Sequence, residues 1–111
     1  MKTFLTLSVF LLSTMLVSAQ KTKFVVKYDN NTIQQIGYFN QANQKDSLWL
    51  MYNNTGKLIG SAHYKNGVKE GLWEIYNDYG VKKIELLYVN NVKISVKEWD
   101  DNGLLINNKD Y

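Results

Sequence analysis

The chain has 111 residues and a formal charge of +3, with 13 lysines set against 10 acidic residues and no arginine, cysteine or proline. Without cysteine the fold stands without disulfides and has no thiolate for a metal. Without arginine it lacks the planar fork favoured in phosphate and base recognition, and its lysines are scattered among Asp and Glu as on a solvated surface, so nucleic acid is not the expected partner.

Residues 4–17 form an apolar stretch broken only by Thr6, Ser8, Ser13 and Thr14, and Lys2 precedes it as a positive charge. Val17-Ser18-Ala19 then places small residues where a signal peptidase reads, so the expected cleavage falls between Ala19 and Gln20. The stretch is short for a bilayer span of ~20 residues. No cysteine follows it for lipid attachment, and nothing later is apolar enough to span. The expectation is an exported protein, periplasmic or secreted, with no stable membrane insertion once residues 1–19 are removed. The remaining 92 residues carry a charge of +2 and suffice for one domain, 20–111. A domain of that size buries only ~60–65% of its unfolded surface.

The rest of the chain reads as short strands and turns. Phe24-Val25-Val26-Lys27-Tyr28 is β-rich and ends in the polar cluster Asp29-Asn30-Asn31-Thr32. A strand over 33–39 contains Gly37, which marks a bulge or a close approach. A polar stretch, 40–47, leads to a strand over 48–52, the turn Asn53-Asn54-Thr55-Gly56 and a strand over 57–64. Lys65-Asn66-Gly67 is a tight hairpin signal, because Asn-Gly tolerates positive φ. Then come a strand over 71–76, the turn Asn77-Asp78-Tyr79-Gly80, a strand over 82–89, the turn Asn90-Asn91, a strand over 92–99, the turn Asp100-Asp101-Asn102-Gly103 and a last strand over 104–106.

These segments echo one another at a spacing of 24. Trp49, Tyr52 and Gly56 return as Trp73, Tyr76 and Gly80, and Tyr64, Asn66, Val68 and Lys69 return as Tyr88, Asn90, Val92 and Lys93. The offset then drops to 23, with Tyr76, Asp78 and Gly80 matched by Trp99, Asp101 and Gly103. Ser95 and Val96 stand where Gly71 and Trp73 would. Upstream, Tyr28 lies 24 before Tyr52, and Thr32 falls where Gly56 would be. The reading is an all-β domain, an antiparallel meander of repeated β-hairpins with about seven or eight short strands, in approximate copies 24–47, 48–71, 72–94 and 95–111. With no proline to blunt the sheet edges, Lys27, Lys57, Lys82, Lys83 and Lys97 are candidates for that task.

Gly71-Leu72-Trp73-Glu74-Ile75-Tyr76 followed by Asn77-Asp78-Tyr79-Gly80 resembles the MORN-variant repeat, as does the preceding Tyr64-Lys65-Asn66-Gly67-Val68-Lys69-Glu70. The resemblance covers residues 36–106 and is strongest in the central copy; the first has Ser47 for the glycine, and the third lacks both glycine and tryptophan. It implies a hairpin stack with rows of aromatic residues and a role in contact. Some relatives of this small exported bacterial type carry labels such as antitoxin component or nicotinate-mononucleotide adenylyltransferase. The latter needs a Rossmann-type domain with a histidine-rich phosphate site, and one histidine with no glycine-rich strand-to-helix loop does not supply it. A cytosolic antitoxin role conflicts with the leader.

Strand alternation puts Trp73 and Ile75 on one face and Leu72, Glu74 and Tyr76 on the other. Trp49 with Met51, against Leu48, Leu50 and Tyr52, divides likewise, and Ile84, Leu86 and Tyr88 oppose Glu85, Leu87 and Val89. Two uses of these aromatics stay open: a packed core along the stack, or an exposed platform carrying Tyr52, Tyr76 and Tyr88. Trp49, Tyr52, Tyr64, Trp73, Tyr76, Tyr88 and Trp99 are therefore the candidate binding surface, for a protein partner, for a second copy of the chain or, alternatively, for a glycan of the cell envelope. No catalytic, cofactor-binding or metal-binding residue is assigned. His63 has no second His or Cys to join it, Asp100-Asp101-Asn102-Gly103 lacks calcium-loop spacing, and Glu74 with Glu98 is the one carboxylate pair expected to approach across neighbouring units. Asp46-Ser47-Leu48 matches an acidic-hydroxyl-aliphatic tripeptide that some bacteria O-glycosylate, with Ser47 as acceptor.

Overall fold

The structure is a computed structural model and describes residues 20–111; the expected leader, including Ala19, lies outside the described residues, and Gln20 is exposed. The turn signals cut the chain into nine strands: β1 (Thr22–Lys27), β2 (Ile33–Phe39), β3 (Lys45–Tyr52), β4 (Leu58–Lys65), β5 (Val68–Lys69), β6 (Gly71–Tyr76), β7 (Lys82–Val89), β8 (Val92–Trp99) and β9 (Leu105–Asp110). All pair antiparallel in one open sheet ordered β1-β2-β3-β4-β6-β7-β8-β9, with β5 paired to β4. No described residue is helical.

The ninth strand beyond the expected seven or eight arises at a bulge. Tyr64 pairs with Lys69, but Ser61 pairs with Glu74, so two extra residues enter around Glu70 and Gly71 and part β5 from β6. Gly71 sits there at φ +91°, which a glycine adopts without strain. Ser47 occupies the corresponding place in β3 at φ +66°, and the β2–β3 register slips beside it. β3 consequently begins at Lys45, inside the stretch expected to be a polar connection. In β8 the slip beside Tyr88 is smaller, with Leu87 opposite Ser95 and Tyr88 opposite Lys93, and no residue of β8 has positive φ. The residue missing from the 23-residue spacing is thus a bulge residue.

Two turn types alternate along the chain. Residues 53–57, 77–81 and 100–104 close in the same way. The N–H of the first residue donates to the carbonyl of the last at 2.9 Å in each, and a glycine with positive φ, Gly56, Gly80 or Gly103, sits fourth. The side-chain oxygen of Asn53, Asn77 or Asp100 accepts from two backbone N–H groups further on. The other type is a two-residue hairpin with both central residues at positive φ: Asn66 and Gly67 (+50° and +83°), and Asn90 and Asn91 (+49° and +69°). Each hairpin is also tied to a strand outside its own pair, since Gly67 N–H donates to Lys45 O in β3 (2.8 Å) and Asn91 N–H to Lys69 O in β5 (2.9 Å).

One expectation shifts by a residue. The first turn closes from Tyr28 N–H to Thr32 O, and Asn31 has the positive φ, so Asn31 and not Thr32 stands where Gly56 stands later. The connection 40–44, closed by Asn40 N–H to Gln44 O, is one residue longer than the hairpin at 65–68 and absorbs the difference.

The core is a single row across one face. Phe24 lies opposite Gly37, Trp49 opposite Ala62, Trp73 opposite Leu86, and Leu86 opposite Val96. Bulky residues face small ones through the first half of the row, so each large ring has a flat seat. A Cβ on Gly37 would stand 2.1–2.5 Å from the Trp49 ring, so Gly37 is a close-approach point. Trp49 (2% exposed), Ala62 (3%) and Val96 (4%) are the buried apolar side chains among the described residues. Val96 fills the place of the missing tryptophan.

Candidate functional site

The seven aromatics expected to form one binding surface separate into two groups. Trp49, Tyr64, Trp73 and Tyr88 join Phe24 and Phe39 in a continuous run, with ring centroids 5.1 Å apart for Phe39–Trp49, 6.3 Å for Trp49–Tyr64, 5.2 Å for Tyr64–Trp73 and 5.1 Å for Trp73–Tyr88. The Trp49 and Trp73 indole N–H groups donate to the carbonyls of Tyr38 (3.2 Å) and His63 (3.0 Å). Tyr88 therefore belongs to the tryptophan face and not to a platform with Tyr52 and Tyr76, because it alternates with Leu86 and Ile84. Burial and the neighbouring Tyr88 phenol both push the Tyr64 phenol pKa upward.

Lys45 and Lys69 cover this run, and Lys93, together with Lys109, lies over Tyr111 beyond it. Lys45 Nζ lies 4.8 Å from the Trp49 ring and 5.1 Å from Tyr64; Lys69 Nζ lies 5.1 Å from Trp73 and 5.0 Å from Tyr88; Lys93 Nζ lies 4.7 Å from Tyr111. An ammonium over an aromatic face is attracted by the ring quadrupole. Lys45, Lys69 and Lys93 recur every 24 residues, and Lys45 lies in the stretch that sequence reasoning passed over as a polar connection.

Tyr52, Tyr76 and Trp99 lie at the far ends of β3, β6 and β8. Tyr28 Oη donates to the Tyr52 carbonyl at 2.7 Å. Tyr76 Oη donates to Glu74 Oε2 at 3.0 Å, and Lys82 Nζ reaches Glu74 (3.3 Å), Glu85 (3.1 Å) and the Trp99 ring (5.4 Å). Glu74 is directly opposite Glu85 in the β6–β7 ladder, so Lys82 offsets the repulsion of a like-charged cross-strand pair. Burial first, then the Glu74 carboxylate, raises the Tyr76 pKa. Burial works against the Lys82 ammonium, but hydrogen bonds to Glu85 and Glu74 outweigh it and its pKa is raised. Glu98, expected to approach Glu74, lies opposite Ile84 on the other face. The lost bulge residue changes the parity: at an offset of 23, Glu74 corresponds to Lys97 and Glu98 to Ile75.

The face opposite the tryptophans changes character along its length. One cross-strand row runs Val25, Ile36, Leu50, Ser61, Glu74, Glu85, Lys97, Asn108, apolar over β1–β3 and polar over β6–β9. In the apolar half Val25 (39%), Tyr38 (37%) and Leu48 (38%) are exposed. Tyr38 and Val25 were not among the candidates, although Leu48 and Leu50 alternating around Trp49 already marked a second apolar face.

The remaining candidates are dispersed. His63 is exposed opposite Leu48, and no cluster of His, Cys, Asp and Glu among the described residues is arranged to hold a metal. Ser47, half-buried at the β3 bulge, accepts a hydrogen bond from Lys21, whose ammonium also pairs with Asp46 at 3.5 Å. Of the lysines proposed to guard edges, only Lys27 lies on an outer strand of the described sheet; Lys82, Lys83 and Lys97 lie inside it, and Lys57 lies in a turn. Lys83 instead pairs with Asp101, whose pKa is lowered by that hydrogen bond and charge. The cavities are open depressions: about 180 Å³ bordered by Leu72, Glu85, Leu87 and Lys97, and about 470 Å³ between the turns carrying Asn66 and Asn90.

Comparison with known proteins gives no matching family model, no matching curated protein and no matching solved structure.

Proposed function

We propose that the chain is a small exported repeat domain of the MORN-like type, non-catalytic, that works by contact with a protein partner or a second copy of itself. The observation that carries this reading is the apolar half of the face opposite the tryptophans, where Val25, Tyr38 and Leu48 stand exposed around Ile36 and Leu50. Contiguous apolar surface on a folded domain marks an interaction site when it is not the core. Here the core lies on the other face, around Trp49. The carboxylates argue the same way, since Glu74 and Glu85 share Lys82 on an open sheet instead of lining an enclosed site where their acidities could be set apart.

The test is Tyr38→Ser with Leu48→Ser. The double variant should keep its circular dichroism spectrum and lose partner cross-links in the cell-envelope fraction, together with any concentration-dependent association through this face. Retention of every cross-link and of the sedimentation profile would remove the apolar face from the reading. Cell fractionation checks export: protein confined to the cytosol would overturn it. The lysine-topped aromatic face favours a second reading, binding of a cell-envelope glycan.

A further inference from the structure

We infer that the tryptophan face binds a linear acidic polysaccharide through a ladder of three lysines, Lys45, Lys69 and Lys93. The inference rests on the glycan reading and is independent of the apolar face. Lys45 lies in β3, Lys69 in β5 and Lys93 in β8, each opposite an aromatic or its counterpart: Phe39, Tyr64 and Tyr88. Successive members stand two strand positions apart, since β5 pairs β4 in the position that β6 continues, which at ordinary strand spacing is about 9.6 Å. Their positions are fixed from below and from the side. The ammonium groups lie 4.7–5.1 Å from aromatic ring centroids, and the Lys45 and Lys69 carbonyls are held by the N–H groups of Gly67 and Asn91.

No carboxylate lies within ion-pair distance of these three ammonium groups among the described residues. The nearest acidic positions along the chain are engaged elsewhere: Asp46 pairs with Lys21, and Glu70 accepts the Asn90 N–H at 2.7 Å. The ladder thus presents a row of positive charge with no carboxylate partner, one member on every second strand position. Its period selects among polyanions. Nucleic acid offers a charge every ~3.4 Å along each strand, nearly three times denser than the ladder, and is favoured by arginine, which the chain lacks. One acidic group about every 9.6 Å matches instead a polymer of alternating neutral and acidic sugars, with a uronate or sulfate in each disaccharide, laid across the strands. The neutral sugar between two acidic ones would then lie over β4 and β7, the strands that carry Tyr64 and Tyr88.

The probe is a hyaluronan decasaccharide, which has one carboxylate per disaccharide, titrated by calorimetry into the purified full chain as its host processes it. Binding should weaken as salt rises, and each of Lys45→Met, Lys69→Met and Lys93→Met should weaken it about fivefold. Each should also reduce the slope of log affinity against log salt by about one. Methionine keeps an apolar stem over the ring, so folding is preserved, and Lys→Arg at the same positions should restore binding. Lys57→Met and Lys83→Met, outside the ladder, should leave it unchanged.

Absence of binding, or an equal loss in the Lys57 and Lys83 variants, would overturn the inference. So would equal or tighter binding to single-stranded DNA or to phosphatidylglycerol vesicles, which would assign the ladder to nucleic acid or to a membrane surface. If hyaluronan fails while an uncharged chitin oligosaccharide binds, the glycan reading stands and the lysine ladder does not. If neither binds, both fall, and the Tyr38 and Leu48 experiment stands apart.

Discussion

Gly37→Ala tests the packing argument at its tightest point. Gly37 is not among the residues with positive φ, so alanine is conformationally acceptable and, without a neighbour, would stabilise by about 0.4–1 kcal/mol through the unfolded chain. The sign is reversed by Trp49. The added methyl would stand 2.1, 2.3 and 2.5 Å from three atoms of its ring, far inside ordinary contact. The ring must leave its seat and give up close packing with Phe24, Phe39 and Tyr64, at 5.7, 5.1 and 6.3 Å, and its hydrogen bond to Tyr38 O. Overpacking alone costs about 1–3 kcal/mol, each aromatic pair contributes ~0.5–1.5 kcal/mol and the hydrogen bond ~1 kcal/mol. With partial relaxation the net loss should be about 3 kcal/mol.

For a domain of this size that loss lowers the melting temperature by roughly 12–24 °C. Urea unfolding followed by tryptophan fluorescence and by circular dichroism measures it. Trp49→Leu, which removes the obstructing ring, should add less than about 0.5 kcal/mol on top of Gly37→Ala, although alone it should cost about 2 kcal/mol. A Gly37→Ala protein within about 0.5 kcal/mol of the parent, or strict additivity of the two substitutions, would refute the seat.

Other outcomes follow from the turns and the charge cluster. Asn77→Ala removes the side-chain acceptor of the Tyr79 and Val81 N–H groups and should cost about 1 kcal/mol in chemical denaturation. Ser47→Gly should be tolerated at φ +66°, whereas Ser47→Val should cost about 1–2 kcal/mol, readable as a fall in melting temperature. Tyr76 and Lys82 both have raised pKa values, so the folded state favours the neutral phenol and the charged ammonium. Their stabilisation is full below pH ~10 and is lost as pH rises through the raised values. A melting-temperature profile should therefore fall on the alkaline side, with phenolate absorbance appearing late. Lys82→Met leaves Glu74 facing Glu85 and should lower stability by up to about 1 kcal/mol at neutral pH. The deficit should shrink in a Glu74→Gln background, and an unchanged loss there would count against the bridging role.

The turns were the most legible part of the sequence because their chemistry is local. Asn-x-x-Gly, Asp-x-x-Gly, Asn-Gly and Asn-Asn declare positive φ within four residues, and the observed turns at 53–56, 66–67, 77–80, 90–91 and 100–103 stand where those signals place them. Faces were legible wherever a strand ran without interruption, as for Trp73 and Ile75. They failed across bulges, since one residue more or less transfers every later side chain to the opposite face. Glu98 was misplaced for that reason, and so was the match of Thr32 to Gly56, where the extra residue hides in the connection 40–44. The lysine ladder eluded reading for another cause. Lys45 precedes Ser47, and nothing in Lys-Asp-Ser declares a strand; its position over Trp49 follows from pairing with Phe39 after the connection has closed.

Strand order in the sheet follows chain order from β1 to β9, joined by short turns. Every ladder therefore closes a small loop, and the contact order is low for an all-β protein. Folding should accordingly be fast, with hairpins adding to a growing edge instead of waiting for distant segments to meet. Under load applied at its two ends the sheet should unzip one hairpin at a time, and force extension would show a series of small releases in place of one large rupture.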